Sequence, residues 1–372
     1  MTRPDLEAPV PSQDSPNRHD DLLRSTLELV APGTELRDAL ERSLAGGTGA
    51  LIVLGFDASV EAIGSGGFEL DVPFSATRVR ELAKMDGAVV LDPERGRIVR
   101  AAIQLLPDPA IPTSESGTRH RTAERVAKQT GHPVISVSQS MHIAALYVNG
   151  TRHVLLDPAE LSARAKQALD TLESYRAKLD EVEASLSALE VEDLVTIRDV
   201  AAVAGRQEMV WRIGEEVDSV LAELGTEGRL LRLQFDELIA GVASGRLLLV
   251  RDYTDAGGPE RDPAAPLARL AAVNATDLIE PEAVAGALGL LGEGREPDSG
   301  LSPRGHRLLA KVPGLNAAGA DRIVAHFGTL QAILGAPLEE LMRVEGFRRD
   351  RARAIREGMS RIAETATLER FV

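Results

Sequence analysis

Three observations predict an α/β N-terminal domain with a mixed sheet flanked by helices, then an all-α spine, then an all-α C-terminal domain of two helix-hairpin-helix units. Between Leu22 and Asp157, apolar runs of strand length alternate with helical patterns. From Pro158 an apolar residue recurs every seven positions. Toward the C-terminus one short plan occurs twice, with an apolar residue, Xaa-Gly, a second apolar residue and a helix start. At 372 residues the chain exceeds one ordinary core. Composition and texture place boundaries around a polar, disordered leader (1–20), the α/β domain (21–157), the spine (158–298) and the hairpin domain (299–372).

In the α/β region, TGALIVLG (48–55), GAVVLD (87–92), RIVRAAIQLL (97–106), PVISVSQ (133–139), HIAALYVNG (142–150) and TRHVLLD (151–157) read as strands, being rich in β-branched and apolar residues between turn signals. LLRSTLELV (22–30), ELRDALERSLAGG (35–47), SATRVRELAKMD (75–86) and RTAERVAKQTG (121–131) read as helices, two of them stopped by glycine. Several strands follow one another too closely for crossover helices, so the sheet must be mixed. In the spine, Ala165, Leu172, Leu179 and Leu186 form a heptad seam, with Leu161, Ala168, Tyr175, Val182 and Leu189 on companion positions. Further helix follows through TIRDVAAVAGRQEMVWRIGEEVDSVLAELG and LLRLQFDELIAGVASG. DAGGPERDPAAP (255–266) reads as a long loop and LGEGREPDSG (291–300) as a linker.

Composition removes several classes of chemistry. With no cysteine there is no disulfide, thiolate metal site or cysteine nucleophile. The N-terminus lacks the apolar run of a signal peptide, and nowhere do about 18 apolar residues adjoin, which predicts a cytoplasmic protein with no membrane partner. A formal charge of −15 argues against a chain coated along its length by nucleic acid. Residues 299–372 depart from that balance, with 12 Lys plus Arg against 8 Asp plus Glu.

The motifs sharpen this picture. There is no G-x-x-x-x-G-K-[ST], and GSGG (64–67) lacks dinucleotide-binding spacing. In GTRHRT, Gly117 permits a turn, Thr118 can cap a helix, and the following amides with Arg119, His120, Arg121 and Thr122 can surround an anion. Three bases at a helix start oppose the macrodipole and ask for such an anion; the bland alternative is a plain helix start with solvent-exposed bases. Asp86, Gly87 and Ala88 read either as a turn or as a carboxylate beside small residues, able to hold Mg²⁺ or Mn²⁺ against phosphate. His132, His142 and His153 match no ligand spacing and read as ordinary. Ser138 reads as a polar strand end. In the doubled hairpins at VPGL (312–315) and VEGF (344–347), the exposed amides suit a DNA phosphate. Arg343, Arg348, Arg349, Arg351, Arg353 and Arg356 crowd the second copy, as they also could on a merely solvated helix.

Taken in order, D-G-A (86–88), G-T-R-H-R-T-A-E (117–124), the helical middle with IRDVAAVAGRQEMVWRI (197–213) and LGTEGRLLRLQ (224–234), and the tandem hairpins ending in ARAIREGMSRI (352–362) resemble the DisA family of diadenylate cyclases. The resemblance implies condensation of two ATP into cyclic di-AMP with loss of two pyrophosphates. On the matching positions, Asp86 would bind the divalent metal (Mg or Mn) and ready the attacking hydroxyl, while Gly87 and Ala88 leave room for the nucleotide. Gly117, Thr118, Arg119, His120, Arg121 and Thr122 would hold the triphosphate, and Leu105 and Ser138 would contact ATP. Gly314, Gly346, Arg348 and Arg349 would grip DNA. It further implies an octamer with paired cyclase domains, nucleoid association, and a DNA integrity checkpoint in which branched DNA such as a four-way junction slows synthesis. Arg348 stands where the family's hairpins usually carry a second glycine, and Asn316 replaces it in the first copy. If that position needs positive φ, Asn316 meets the need better than Arg348. From another functional class, a junction-binding protein whose α/β domain only senses a nucleotide fits the same motifs without requiring the Asp86 carboxylate.

Overall fold

The computed structural model describes residues 16–254, 263–292 and 294–369. The expected leader falls outside them up to residue 15, as do residues 255–262 of the expected loop and residue 293 of the expected linker. The chain forms two compact units, Met1–Ala165 with Ser219–Arg232, and Lys166–Asp218 with Leu233–Val372.

The first unit opens with α1 (Pro16–Leu29), which starts earlier than the apolar pattern indicates, and α2 (Glu35–Ala45). It continues as β1 (Ala50–Leu54), α3 (Ala58–Ile63), β2 (Gly64–Ser65), β3 (Phe68–Pro73), α4 (Ala76–Leu82), β4 (Ala88–Asp92), β5 (Arg97–Leu105), α5 (Thr118–Thr130), β6 (Val134–Ser138), β7 (Ile143–Val148) and β8 (Thr151–Leu155). The sheet order is β2-β5-β4-β1-β6-β7-β8, with β3 also on β5. Among the described residues only β1 and β4 run parallel, so the sheet is mixed.

Every residue of β1 is buried because both faces are covered. Ile52 and Leu54 pack on one face with Leu40, Val79, Ile135 and Leu146. Leu51 and Val53 pack on the other with Val60, Val126 and Tyr147. The elements not anticipated are α3, β2 and β3. FELDVP alternates exposed with half-buried positions on an edge and carries two acids, so no apolar run announces it. The six-residue α3 is announced only by its N-cap, Asp57, which accepts from the Ser59 and Val60 amides.

Two long helices, α6 (Pro158–Glu192) and α7 (Ile197–Leu224), follow. Ala165, Leu172, Leu179 and Leu186 are all buried, and Ala168, Tyr175, Val182 and Leu189 are half-buried beside them, as the heptad predicts. The chain continues with α8 (Arg229–Ile239), α9 (Val242–Tyr253), α10 (Ala264–Ala271) and α11 (Pro281–Leu288). The segment read as a linker is pinned to the α6–α7 connection: Arg198 N donates to Pro297 O (2.8 Å), Ile197 N to Ser299 O (3.0 Å) and Leu301 N to Val195 O (2.8 Å). Backbone groups that composition marks as loop are here satisfied by a neighbouring turn.

The remaining helices are α12 (His306–Ala310), α13 (Ala317–Phe327), α14 (Leu330–Gly335), α15 (Leu338–Leu341) and α16 (Arg349–Glu369). The two hairpins are conformational copies. Gly314 and Gly346 have φ +79° and +82°. In each, the residue after the glycine donates 3.2 Å to the buried valine before it, Leu315 to Val312 and Phe347 to Val344. The expectation about positive φ at Asn316 and Arg348 is corrected. Asn316 has φ −87° and caps α13, its side chain accepting from Gly319 N at 3.0 Å. Arg348 holds the matching place, its carbonyl accepting from Ala352 N at 2.9 Å, and is not among the positive-φ residues. The left-handed residue is the first glycine of each hairpin, so a second glycine is not conformationally required.

Candidate active site

In the first unit, the N-terminal edge of the parallel pair β1/β4, the C-terminal ends of β5 and β6, and the start of α5 enclose an open cavity of about 620 Å³, within the usual range for ligand sites. Gly87, Ala88, Leu105, Gly117, Thr118, Arg119, His120, Thr122 and Ser138 line it. Asp86 and Arg121 do not. Asp86 is exposed on the turn adjoining Gly87, and Arg121 is exposed on α5.

The Asp-Gly-Ala stretch is held by steric necessity. Gly87 has φ +111°, and a Cβ there would lie 2.6 Å from Ala102 C and 2.9 Å from Ala102 Cα and O. Ala102 itself has φ +53°, at the irregularity where the β4–β5 register shifts. The bulge brings the β5 backbone against Gly87, leaves Ala88 buried as the first residue of β4, and ends the turn with the Asp86 carboxylate in solvent. No hydrogen bond or ion pair engages that carboxylate among the described residues, nor do they hold any cluster of three metal-ligating side chains.

At the start of α5, two expectations need correction. The N-cap is Gly117 and not Thr118, which is the first helical residue, and no side chain caps the end. Gly117 has φ −78°, so no left-handed turn requires glycine there. What the glycine leaves is room, since a Cβ would sit 3.4 Å from His120 Cδ2. Without a capping side chain, the first amides of α5 stay available to an anion. Thr122 Oγ1 is occupied by Thr118 O (3.0 Å), and Ser138 Oγ accepts from Met141 N (3.3 Å), holding the β6–β7 turn.

The three bases are not equivalent. Arg119 and Arg121 are exposed, whereas His120 is buried and burial lowers its pKa, Glu115 opposing that shift and Arg152 and Arg119 adding to it. Its Nδ1 lies 2.8 Å from Tyr147 Oη, and that hydroxyl donates to Glu115 Oε1 at 3.0 Å. Arg152 Nε is 3.4 Å from the same carboxylate oxygen. Burial raises the Tyr147 pKa strongly, with Glu115 adding to it, so the phenol keeps its proton.

Sequence reasoning missed Gly49, Glu115, Tyr147 and Gln139. A Cβ on Gly49 would lie 2.1 Å from Arg119 Nη1, so the guanidinium rests on bare backbone just before β1. The glycine cluster GGTG (46–49) was the available signal. Tyr147 offered another, since a tyrosine inside an otherwise apolar strand needs a partner for its hydroxyl.

In the second unit, Arg349, Arg353, Arg356 and Arg361 line a depression of about 550 Å³ along α16 with Leu338, Glu357 and Ser360. Arg353 pairs with Glu357 at 2.8 Å, while Arg349 and Arg356 are exposed, a basic surface adjoining the second hairpin.

Comparison with known proteins gives this geometry a context. Residues 37–152 match the family described as DisA bacterial checkpoint controller nucleotide-binding. Residues 155–296 match the DisA bacterial checkpoint controller linker region, and 307–359 the SAM-like helix-hairpin-helix tandem. The chain is 59% identical over 353 residues to a DNA integrity scanning protein DisA of Parafrankia sp. (strain EAN1pec), covering 95% of this chain and 98% of that one. It is 56% identical over 367 residues to the protein of the same name from Acidothermus cellulolyticus, covering 97% and 100%. Its identity to that of Streptomyces coelicolor is 57% over 355 residues, covering 95% of each.

Proposed function

Because the chain belongs to the DisA family, we propose that the cavity at the start of α5 binds ATP for the family's reaction and that Asp86 holds the metal. The protein is a diadenylate cyclase with a DNA-sensing C-terminal domain. The observation that carries the site assignment is the convergence of Gly87, Ala88, Leu105, Thr118, Arg119 and Ser138, distant in sequence, on one cavity that ends at open helix amides.

In the reaction, the ribose 3′-oxygen of each ATP bonds to the α-phosphorus of the other. The α–β phosphoanhydride bond breaks, its electrons leave with pyrophosphate, and the hydroxyl proton passes to solvent or a base. Arg119 and the first amides of α5 bind the triphosphate and stabilise the charge that gathers on the leaving pyrophosphate. Leu105 and the neighbouring backbone border the base, and Ala88 with Gly87 leaves the nucleotide a close approach to β4.

A lone exposed carboxylate fits Mg²⁺ or Mn²⁺, which take one or two protein carboxylates and complete their shell with phosphates and water. When bound, the ion lowers the pKa of an oxygen ligand and neutralises phosphate charge. One cavity accommodates one of the two nucleotides. Exposed Leu106 and Met141 beside it, with Met85 beside Asp86, suit a second copy facing the first across a two-fold axis. We extend this to an octameric, cytoplasmic, nucleoid-associated assembly whose hairpins and α16 arginines bind branched DNA and slow synthesis within a DNA integrity checkpoint. The exposed Arg121, outside one cavity, is free to reach the nucleotide held by the facing copy.

The test is incubation of the purified protein with ATP and Mg²⁺ or Mn²⁺, followed by mass spectrometry of the products. Cyclic di-AMP is expected, and its absence with both metals would sink the cyclase reading and favour a nucleotide sensor.

A further inference from the structure

Behind the triphosphate side of the cavity runs a chain of polar groups, from exposed Arg152 through half-buried Glu115 to buried Tyr147 and His120. Its proton positions follow from the inventory of donors. Tyr147 has one hydroxyl proton, and with it donated to the Glu115 carboxylate the phenol oxygen can only accept from His120, so His120 Nδ1 carries a hydrogen. The chain is well anchored. Arg152 is the cross-strand neighbour of Tyr147 on β8. The loop bearing Glu115 is strapped to α5 by Arg125 Nε to Ile111 O (2.9 Å), Lys128 Nζ to Pro112 O (2.9 Å) and Thr113 Oγ1 to Glu124 Oε2 (2.5 Å).

With Nδ1 committed, Nε2 is the free valence of the ring. It is buried and has no hydrogen-bond partner among the described residues, and His120 lines the cavity at 5% exposure. The Cδ2 atom bonded to Nε2 adjoins Gly117, at the end of α5 where the amides are open. A bare Nε2 lone pair repels phosphate oxygens, which only accept hydrogen bonds. A protonated Nε2 donates to them.

We propose that Glu115 and Tyr147 are positioning residues that fix the His120 hydrogen on Nδ1 and leave Nε2 to take up a proton from solvent when the substrate triphosphate binds. This rests on the assignment of the cavity to ATP. Glu115, reached through the phenol, favours the imidazolium, while Arg119, Arg152 and burial oppose it. Glu124, the other acid near the chain, is engaged by Lys128 at 2.6 Å and by Thr113. The added negative charge of the triphosphate tips the balance, and the proton returns to solvent as pyrophosphate departs.

The experiment is calorimetric titration of the full-length protein with α,β-methylene-ATP and Mg²⁺ at pH 7.4, in HEPES and in Tris, whose ionisation enthalpies differ. Wild type should take up more protons per bound nucleotide than His120→Asn, by a difference approaching one. Equal uptake overturns the proposal. In Tyr147→Phe, which preserves core volume, uptake should fall. The alkaline limb of kcat/KM should move to lower pH, and turnover should drop on the order of tenfold, the worth of one hydrogen bond to a charged group. Glu115→Gln should shift the profile the same way, and Glu115→Asp should restore part of it. An unchanged pH profile in Tyr147→Phe reduces the phenol to packing and refutes its positioning role. Differential uptake in a wild type that makes no cyclic di-AMP would defeat the cyclase reading alone, whereas synthesis without differential uptake defeats the relay alone.

Discussion

Gly87 and Gly117 both border the cavity, yet replacing them with alanine should have very unequal consequences. At Gly87 an alanine inherits φ +111°, outside the left-handed well that non-glycine residues occasionally use, and such strain costs about 1–3 kcal/mol. Its Cβ also meets three backbone atoms of Ala102 at 2.6–2.9 Å. These belong to β5 and cannot swing aside as a side chain would, so relief must come from separating β4 and β5, about another 1–3 kcal/mol. The sum, about 2–6 kcal/mol, is a large fraction of a typical domain's stability. At Gly117 the φ of −78° suits any residue, and the nearest atom to a new Cβ is 3.4 Å away, so the change should stay within about 0.5 kcal/mol. The only tryptophan, Trp211, lies in the second unit and does not report on this sheet. The assay is therefore native-state hydrogen exchange resolved on β4 and β5 peptides. Gly87→Ala should lower protection there by about thirtyfold or more and, by displacing Asp86, remove synthesis. Equal protection in the two variants would refute the steric account of the Asp-Gly-Ala turn.

Asp86→Asn should leave stability within about 0.5 kcal/mol, since the carboxylate is exposed and unengaged among the described residues, while synthesis measured by product mass spectrometry drops about 100-fold or more. Burial, aided by Arg251, lowers His306 from 6.5 to about 4, so between those values the unfolded chain binds a proton that the folded one does not, and stability falls as pH falls. At pH 5 this amounts to about 2 kcal/mol, so His306→Gln should lose less stability than wild type between pH 7 and 5 in denaturation followed by Trp211 fluorescence. Asp252 acts in the opposite sense, because burial raises its carboxyl to about 6 and its contribution is lost as pH rises through that value; it is common to both proteins and drops out of the difference. Arg356→Ala should weaken binding to a four-way junction and reduce the slope of log affinity against log salt by about 0.9, if this exposed arginine contacts a phosphate. An unchanged slope places the DNA elsewhere on the domain.

What could be read from sequence was whatever depends on burial along one element. Six of the eight strands are announced by apolar runs because β1 and its neighbours are covered on both faces, and the heptad of α6 is announced because Ala165, Leu172, Leu179 and Leu186 face inward together. What could not be read depends on a second segment. Asp-Gly marks a turn, but only the approach of Ala102 makes Gly87 irreplaceable. Three adjacent bases look alike in sequence, yet a helix rotates each by about 100° from the last. That rotation puts His120 into the core against Tyr147, Arg119 over Gly49, and Arg121 into solvent outside the cavity lining. The hairpins illustrate the same limit, since a position resembling a missing glycine proved to be a helix N-cap that Asn316 fills well.

That rotation also bears on how α5 tolerates its own sequence. Its first turn has no acid and no capping side chain, and unfavourable cations at a helix start cost about 0.3–1 kcal/mol each. Two of the three bases carry that cost, because His120 is driven toward its neutral form by burial. The opposite end compensates through Lys128 in the last turn and Gly131 as a left-handed C-cap at φ +72°. The inward face contributes more, with Ala123, Val126 and Ala127 fully packed against the sheet. A capping serine or an acid in the first turn would stabilise the helix and occupy the amides that we assign to the triphosphate. The helix is thus held by its core and its C-terminus, which leaves its N-terminus electrostatically unsatisfied; under the proposed ATP assignment the triphosphate supplies the missing charge, and His120 adds one further positive charge only when that anion is there to hold it.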